Sequence, residues 1–454
     1  MDKLTLYLEV VPLPIIGGAG FAMMMLYLIL PADTRFYATF IIMPAWLVIA
    51  RCPDLGPAQA FTKITSGLLF LLIALAAVMR PVPKRPIPGL AWLYPLFGTY
   101  LLMCLLGVEE RTDVLVIQFQ WIMLTLAALA TVSTLSTIED VEALMKALTV
   151  GTVIALAIPI AAVILNPGEL FGNIGRFTPW GAHPNLIGVA FLMAAPILLY
   201  TIMTTASVSI RAVLIGLLLA DIGMAMVTGS RQVVFAMAAA LGLMSFPLLK
   251  RPGLVLTGIV AGALVLPFFL GLSDYAVERL GSIDSSGRLD IWWQYFMLSL
   301  QRPLGLFGTS GLNSHIAISV GDHPHNMFFE MLYLGGWPYF LPMFIVILSG
   351  IRAMWRVWRT RYVFATPNQR FLIHALASTL VAMYLQGMAN QVIFHPTYTW
   401  SFFCVVLTVL FLSMQKDIPH LEADYLERLE EETHQEYEQE TEENMDGYPN
   451  PLPS

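Results

Sequence analysis

The stretch Asp322-His323-Pro324-His325-Asn326 stands directly before the apolar run that opens Met327-Phe328-Phe329-Glu330. Two imidazoles and an amide in a polar loop, set against a hydrophobic segment, point to chemistry at a bilayer surface. Histidine can take a proton near neutral pH, which is the task of a general base. Asn326 also has a plainer use, as the N-cap of the helix that follows it.

Three further clusters carry chemistry. The first is Gly175-Arg176-Phe177-Thr178 with Gly181-Ala182-His183-Pro184-Asn185. The second, Thr228-Gly229-Ser230-Arg231-Gln232, is short enough that one helix must end and the next begin within it. Ser230 is placed to cap the new helix, whose first N–H groups and dipole favour an anion. Arg231 adds a permanent charge there, although an arginine in such a place can simply snorkel to the interface. The third cluster is Ser285-Ser286-Gly287-Arg288-Leu289-Asp290-Ile291-Trp292-Trp293. Its spacing predicts an interfacial helix over 288–301, with Trp292, Trp293 and Tyr295 as amphipathic anchors. Arg288 opposes the dipole of that helix, which suggests an external anion. An ion pair with Asp290 or Asp284 is the alternative.

A planar guanidinium binds two oxygens of a phosphate at once and stays charged. Arginines with a histidine on one side of a membrane therefore describe a site for a lipid-linked phosphate or diphosphate. The arginines would hold the leaving diphosphate, and the histidine would take a proton from an attacking hydroxyl.

These clusters are positioned by apolar segments. The 454 residues are 57% hydrophobic and only 12% charged, with mean hydropathy +0.72. A soluble chain would carry about a quarter charged residues. Apolar runs lie near 11–30, 36–50, 66–79, 89–106, 114–135, 147–165, 186–204, 210–228, 231–249, 253–271, 327–350, 371–391 and 398–414. The expected fold is all-α and polytopic, with about 12 transmembrane helices and a long outer loop containing interfacial helices. The first run, near Val11, has no small-residue cleavage site behind it and is expected to be a retained span. Cys52, Cys104 and Cys404 show neither metal spacing nor a disulfide framework.

Short basic junctions set the orientation. Arg80, Lys84 and Arg85, then Lys250-Arg251, then Arg352, Arg356, Arg359 and Arg361 all fall on one side, expected to be the cytoplasm. All four clusters then fall on the opposite face. Residues 417–454 hold 13 acidic residues against Arg428 alone, so the body before them is net basic despite the overall charge of −7. The chain divides into N-terminal membrane helices (1–150), a core (151–416) with an outer loop (272–326), and an acidic cytoplasmic tail (417–454) expected to be largely disordered.

No G-x-x-x-x-G-K-[ST] loop, D-x-D pair or H-E-x-x-H motif is present. A donor already carried in the membrane, and used without metal or other cofactor, fits these absences. No nucleic-acid partner is expected.

At these residues the chain resembles the bacterial O-antigen ligase and polymerase superfamily. The pieces that carry the resemblance are G-R-F…H-P-N at 175–185, T-G-S-R at 228–231, S-G-R-x-x-x-W at 286–292 and H-P-H-N-x-x-x-E at 323–330. They cover roughly 150–454 in combination, and each alone is short. The resemblance implies an inverting, metal-independent glycosyltransferase of the bacterial inner membrane. It would act on the periplasmic face and take its glycan from undecaprenyl diphosphate. By motif, Arg231 and Arg288 would contact the diphosphate and His325 would be the base. Arg176, Asn185, Ser230, Gln232, Trp292, His323, Asn326 and Glu330 would support substrate binding; the choice of His325 over His323 as base rests on its place as the second histidine, directly before Asn326. The acceptor stays open between lipid A–core (a ligase, the favoured reading), another lipid-linked repeat (a polymerase) and protein. A transporter or flippase of an anionic lipid is the rival from another class. Asp221, midway along 210–228, is the kind of buried acid such proteins use.

Overall fold

The computed structural model describes residues 10–11, 13–105, 111–171, 175–246, 278, 280, 288–307, 324–390 and 399–446. Fourteen α-helices are named here in chain order. The first seven are α1 (Leu13–Ile29), α2 (Ala32–Ile49), α3 (Pro57–Ile64), α4 (Ser66–Met79), α5 (Leu93–Leu105), α6 (Arg111–Thr134) and α7 (Ile138–Leu165). The others are α8 (Pro184–Thr204), α9 (Val208–Val227), α10 (Arg231–Ser245), α11 (Arg288–Gln301), α12 (Met327–Arg359), α13 (Pro367–Ala389) and α14 (Ser401–Asp446). The described residues contain no strand. Among the described residues, six helices (α7, α8, α9, α12, α13 and α14) are long and apolar enough to cross a membrane. The pair α3 and α4, bent by 52° at its break, makes up to seven. In a bilayer every backbone polar group must be satisfied within the protein, and the helical ladder does this. The chain is an all-α membrane protein.

The two ends of the bundle differ in chemistry. At one end Arg80 is buried and donates to Asp33 Oδ1 (2.6 Å), Asp140 Oδ1 (2.7 Å), Tyr37 Oη (3.0 Å) and the Thr134 carbonyl (3.0 Å). Arg85 pairs with Asp417 at 3.3 Å. Capping boxes at Thr137 and Thr366 start α7 and α13 at the same end, where Gln369 of α13 donates to Glu139 of α7 at 3.0 Å. Helix α14 continues unbroken from the core through the acidic stretch to Asp446. Its extension is tethered, because Arg428 donates to the Val363 carbonyl at 3.1 Å.

At the opposite end α8, α10 and α12 begin, while α9 and α13 finish. Helix α8 lies tight on α10, since a Cβ added at Gly188 would come 2.7 Å from Val233 Cγ2. That close approach puts the first turns of the two helices side by side.

Helix α12 breaks at Gly336, whose φ of 64° and ψ of −163° suit glycine alone. The segment after α11 fits into the break. Trp337 N donates to the Pro303 carbonyl at 2.9 Å and Leu306 N to the Leu334 carbonyl at 3.2 Å. A side chain at Gly336 would collide with the Pro303 carbonyl oxygen. This clasp fixes α11 against the membrane core. Tyr295, expected as an interfacial anchor, is instead buried against Tyr333 with ring centroids 5.6 Å apart. The clasp draws that face of α11 inward and leaves Trp293 as the exposed aromatic.

Candidate functional site

Helix α9 ends at Val227 and α10 starts at Arg231, with Gly229 taking φ 58° to turn the chain. Across that turn lies Arg176, only 6% exposed. Its Nε donates to the Thr228 carbonyl at 2.6 Å and its Nη2 to Asn185 Oδ1 at 2.9 Å. Arg176 therefore fastens the start of α8 to the turn between α9 and α10. Two of its five N–H donors are held by the protein in this way; the sequence places Arg176 among the residues that support substrate.

Ser230 was expected to cap α10, and it does not. Its side chain makes no capping hydrogen bond to the first turn of α10. Its backbone N–H donates to Thr228 Oγ1 at 3.2 Å. Ser230 is 3% exposed, and its Oγ makes no hydrogen bond among the described residues. A buried hydroxyl without a partner costs free energy unless a ligand or water supplies one. Arg231 is the first residue of α10 and half-buried.

Arg288 comes to this same turn from α11. Its Nη1 donates to Gln232 Oε1 at 3.1 Å and to the Ala389 carbonyl, at the end of α13, at 3.0 Å. Arg231 thus opens α10 directly after Ser230, whose Oγ has no hydrogen-bond partner among the described residues, and Arg288 reaches the first turn of the same helix. The helix dipole and both guanidinium groups all favour an anion there.

The histidine loop closes the site. Asn326 does cap α12, its Oδ1 accepting from Phe328 N at 2.9 Å and Phe329 N at 3.4 Å. Its Nδ2 donates to the Met388 carbonyl at 2.7 Å, one residue from the Arg288 contact. Trp292 Nε1 donates to the Pro324 carbonyl at 2.7 Å, and its ring stacks on Phe329 with centroids 5.9 Å apart. Helix α11 therefore holds both the arginine and the loop. His325 lies between these anchors, half-buried, with a positive φ of 46° that a non-glycine residue rarely adopts. Such a conformation persists only where its surroundings impose it. Glu330 is buried in the first turn of α12. His323 lies outside the described residues.

Sequence reasoning carried His183 in its motif without giving it a role. The structure sets its ring at the N-cap of α8, where Nδ1 accepts from Asn185 N at 3.3 Å. Desolvation first, then the Arg176 charge, then His325, hold the His183 imidazole below its ordinary pKa. His183 and His325 are thus electrostatic neighbours. The usable signal was the position of His183 two residues before an asparagine that an arginine binds.

No family model matches the chain, and no curated protein does.

Proposed function

We propose that this protein is a metal-independent inverting glycosyltransferase that moves a glycan from undecaprenyl diphosphate to an acceptor hydroxyl. The buried Ser230 Oγ, without a hydrogen-bond partner among the described residues, next to Arg231 at the start of α10 and near the Arg288–Gln232 contact, carries this reading. That arrangement suits the diphosphate, while His325 beside it suits the base. The acceptor oxygen attacks the anomeric carbon as the bond from that carbon to the diphosphate oxygen breaks. The electron pair leaves on the diphosphate, where the guanidinium groups and helix N–H groups stabilise the growing charge. His325 takes the hydroxyl proton.

In this reading the chain lies in the bacterial inner membrane with about 12 spans. The site and the 272–326 loop face the periplasm, and the α14 extension is cytoplasmic. Ligation to lipid A–core is the favoured reaction. Polymerisation of lipid-linked repeats and transfer to protein are its alternatives.

A second reading, transport of an anionic lipid, has one observation behind it. Asp221 in α9 is fully buried, and neither carboxyl oxygen has a hydrogen-bond partner among the described residues. The deciding assay offers purified protein a synthetic undecaprenyl-diphosphate glycan and, in parallel, lipid A–core or a second lipid-linked repeat. Product on lipid A–core establishes a ligase, and a ladder of lengthened lipid-linked glycan establishes a polymerase. Donor movement across liposomes without product supports the transporter.

A further inference from the structure

Three observations converge on His183, at the rim of the proposed site. Its Nδ1 is occupied, accepting the Asn185 N–H at 3.3 Å. A neutral imidazole with Nδ1 as acceptor carries its proton on Nε2, so its remaining polar atom is a donor. The ring is held in place by a chain of contacts, because Asn185 Oδ1 is itself bound by Arg176, which is anchored on the Thr228 carbonyl. The ring is also exposed, and it neighbours the imidazole that would serve as base.

Building on the transferase reading, we propose that His183 is a positioning residue for the acceptor, its Nε2–H donating to an acceptor sugar oxygen so that the attacking hydroxyl faces His325. The division of labour follows from charge. The guanidinium groups and the α10 start suit the dianionic leaving group. A neutral donor suits a neutral sugar. The lowered proton affinity of the ring supports this, because a protonated Nδ1 would lose the Asn185 N–H and release the ring from its orientation. The proton still passes from the acceptor hydroxyl to His325, and His183 exchanges none.

Two substitutions separate this role from a structural one. In His183→Gln the amide N–H stands near the position of Nε2–H, whereas His183→Leu keeps the bulk and has no donor. With the undecaprenyl-diphosphate glycan and lipid A–core as substrates, the Leu variant is expected to raise the acceptor KM about three- to tenfold, the worth of one hydrogen bond. The donor KM should stay unchanged. The Gln variant should stay within about twofold of wild type and keep its pH profile. Equal KM values for acceptor in all three proteins, or a rise in donor KM instead, would overturn the role. A readout on wild type is independent of folding of the variants. Diethylpyrocarbonate labelling of His183, followed by mass spectrometry, should be suppressed by lipid A–core and not by the donor; labelling indifferent to the acceptor would overturn it too. Wild-type protein that transfers nothing to lipid A–core, to a lipid-linked repeat or to protein would overturn the transferase reading itself, which keeps the two failures distinct.

Discussion

Arg288 and Gln232, 56 residues apart in sequence, meet at 3.1 Å through Nη1 and Oε1. The contact joins the first residue of α11 to the first turn of α10. It places the Arg288 guanidinium between the first turn of α10 and the end of α13. Arg288→Ala is expected to lower kcat by about two to three orders of magnitude, as loss of a transition-state donor does. Arg288→Lys should recover only part, because an ammonium cannot reproduce the planar fork. Steady-state transfer assays read both, and full activity in the Lys variant would count against a diphosphate clamp.

Ser230→Ala gives a different signature. No hydrogen bond among the described residues is lost, so thermal stability should hold or rise slightly. Donor KM should rise by about two- to tenfold if the hydroxyl meets a phosphate oxygen. Unchanged donor KM would place the anion elsewhere.

The pH dependence of stability has a definite sign at His183. Its pKa lies below the ordinary 6.5, so between the two values the unfolded chain binds more protons than the folded one. Stability is therefore expected to fall as pH drops through about 6.5, and to level off below the folded-state pKa. In His183→Gln this component should vanish. Melting curves between pH 5 and 8 for both proteins check it, and parallel curves would contradict it.

Gly336→Ala tests the clasp. The new methyl group must enter a backbone with φ 64° and meet the Pro303 carbonyl. A loss of more than about 2 kcal/mol is expected, as for strained backbone and overpacking together. Transfer should drop further than melting alone explains, because α11 carries Arg288 and Trp292. A variant with normal melting and normal kcat would show that the clasp does not position the arginine.

Asp221→Leu separates the two functional readings. Replacing a buried, unpartnered carboxyl with an apolar side chain should stabilise the protein. Glycan transfer should be unchanged in a transferase, whereas a carrier using that acid would lose lipid movement in a liposome assay.

Composition and hydropathy alone established an all-α membrane protein, because burying this much apolar sequence in lipid leaves helices as the structure that satisfies its backbone. Local spacing also marked the helix over 288–301, the turn at 228–230 and Asn326 as a cap, since each depends on neighbours a few residues away. The tertiary structure decided which groups are consumed by the fold and which remain for a ligand. Arg176 was one arginine among several until Thr228 and Asn185 took two of its donors. Ser230 read as a cap, but its Oγ accepts no N–H from the first turn of α10. Arg288 finds the Ala389 carbonyl 101 residues away. The tight seats at Gly188 and Gly336 likewise belong to partners, Val233 and Pro303, that no periodicity names. Helical periodicity reports which face is apolar. It carries no information on which distant helix that face will meet, and the site is assembled where those meetings bring α8, α10, α11 and α12 together.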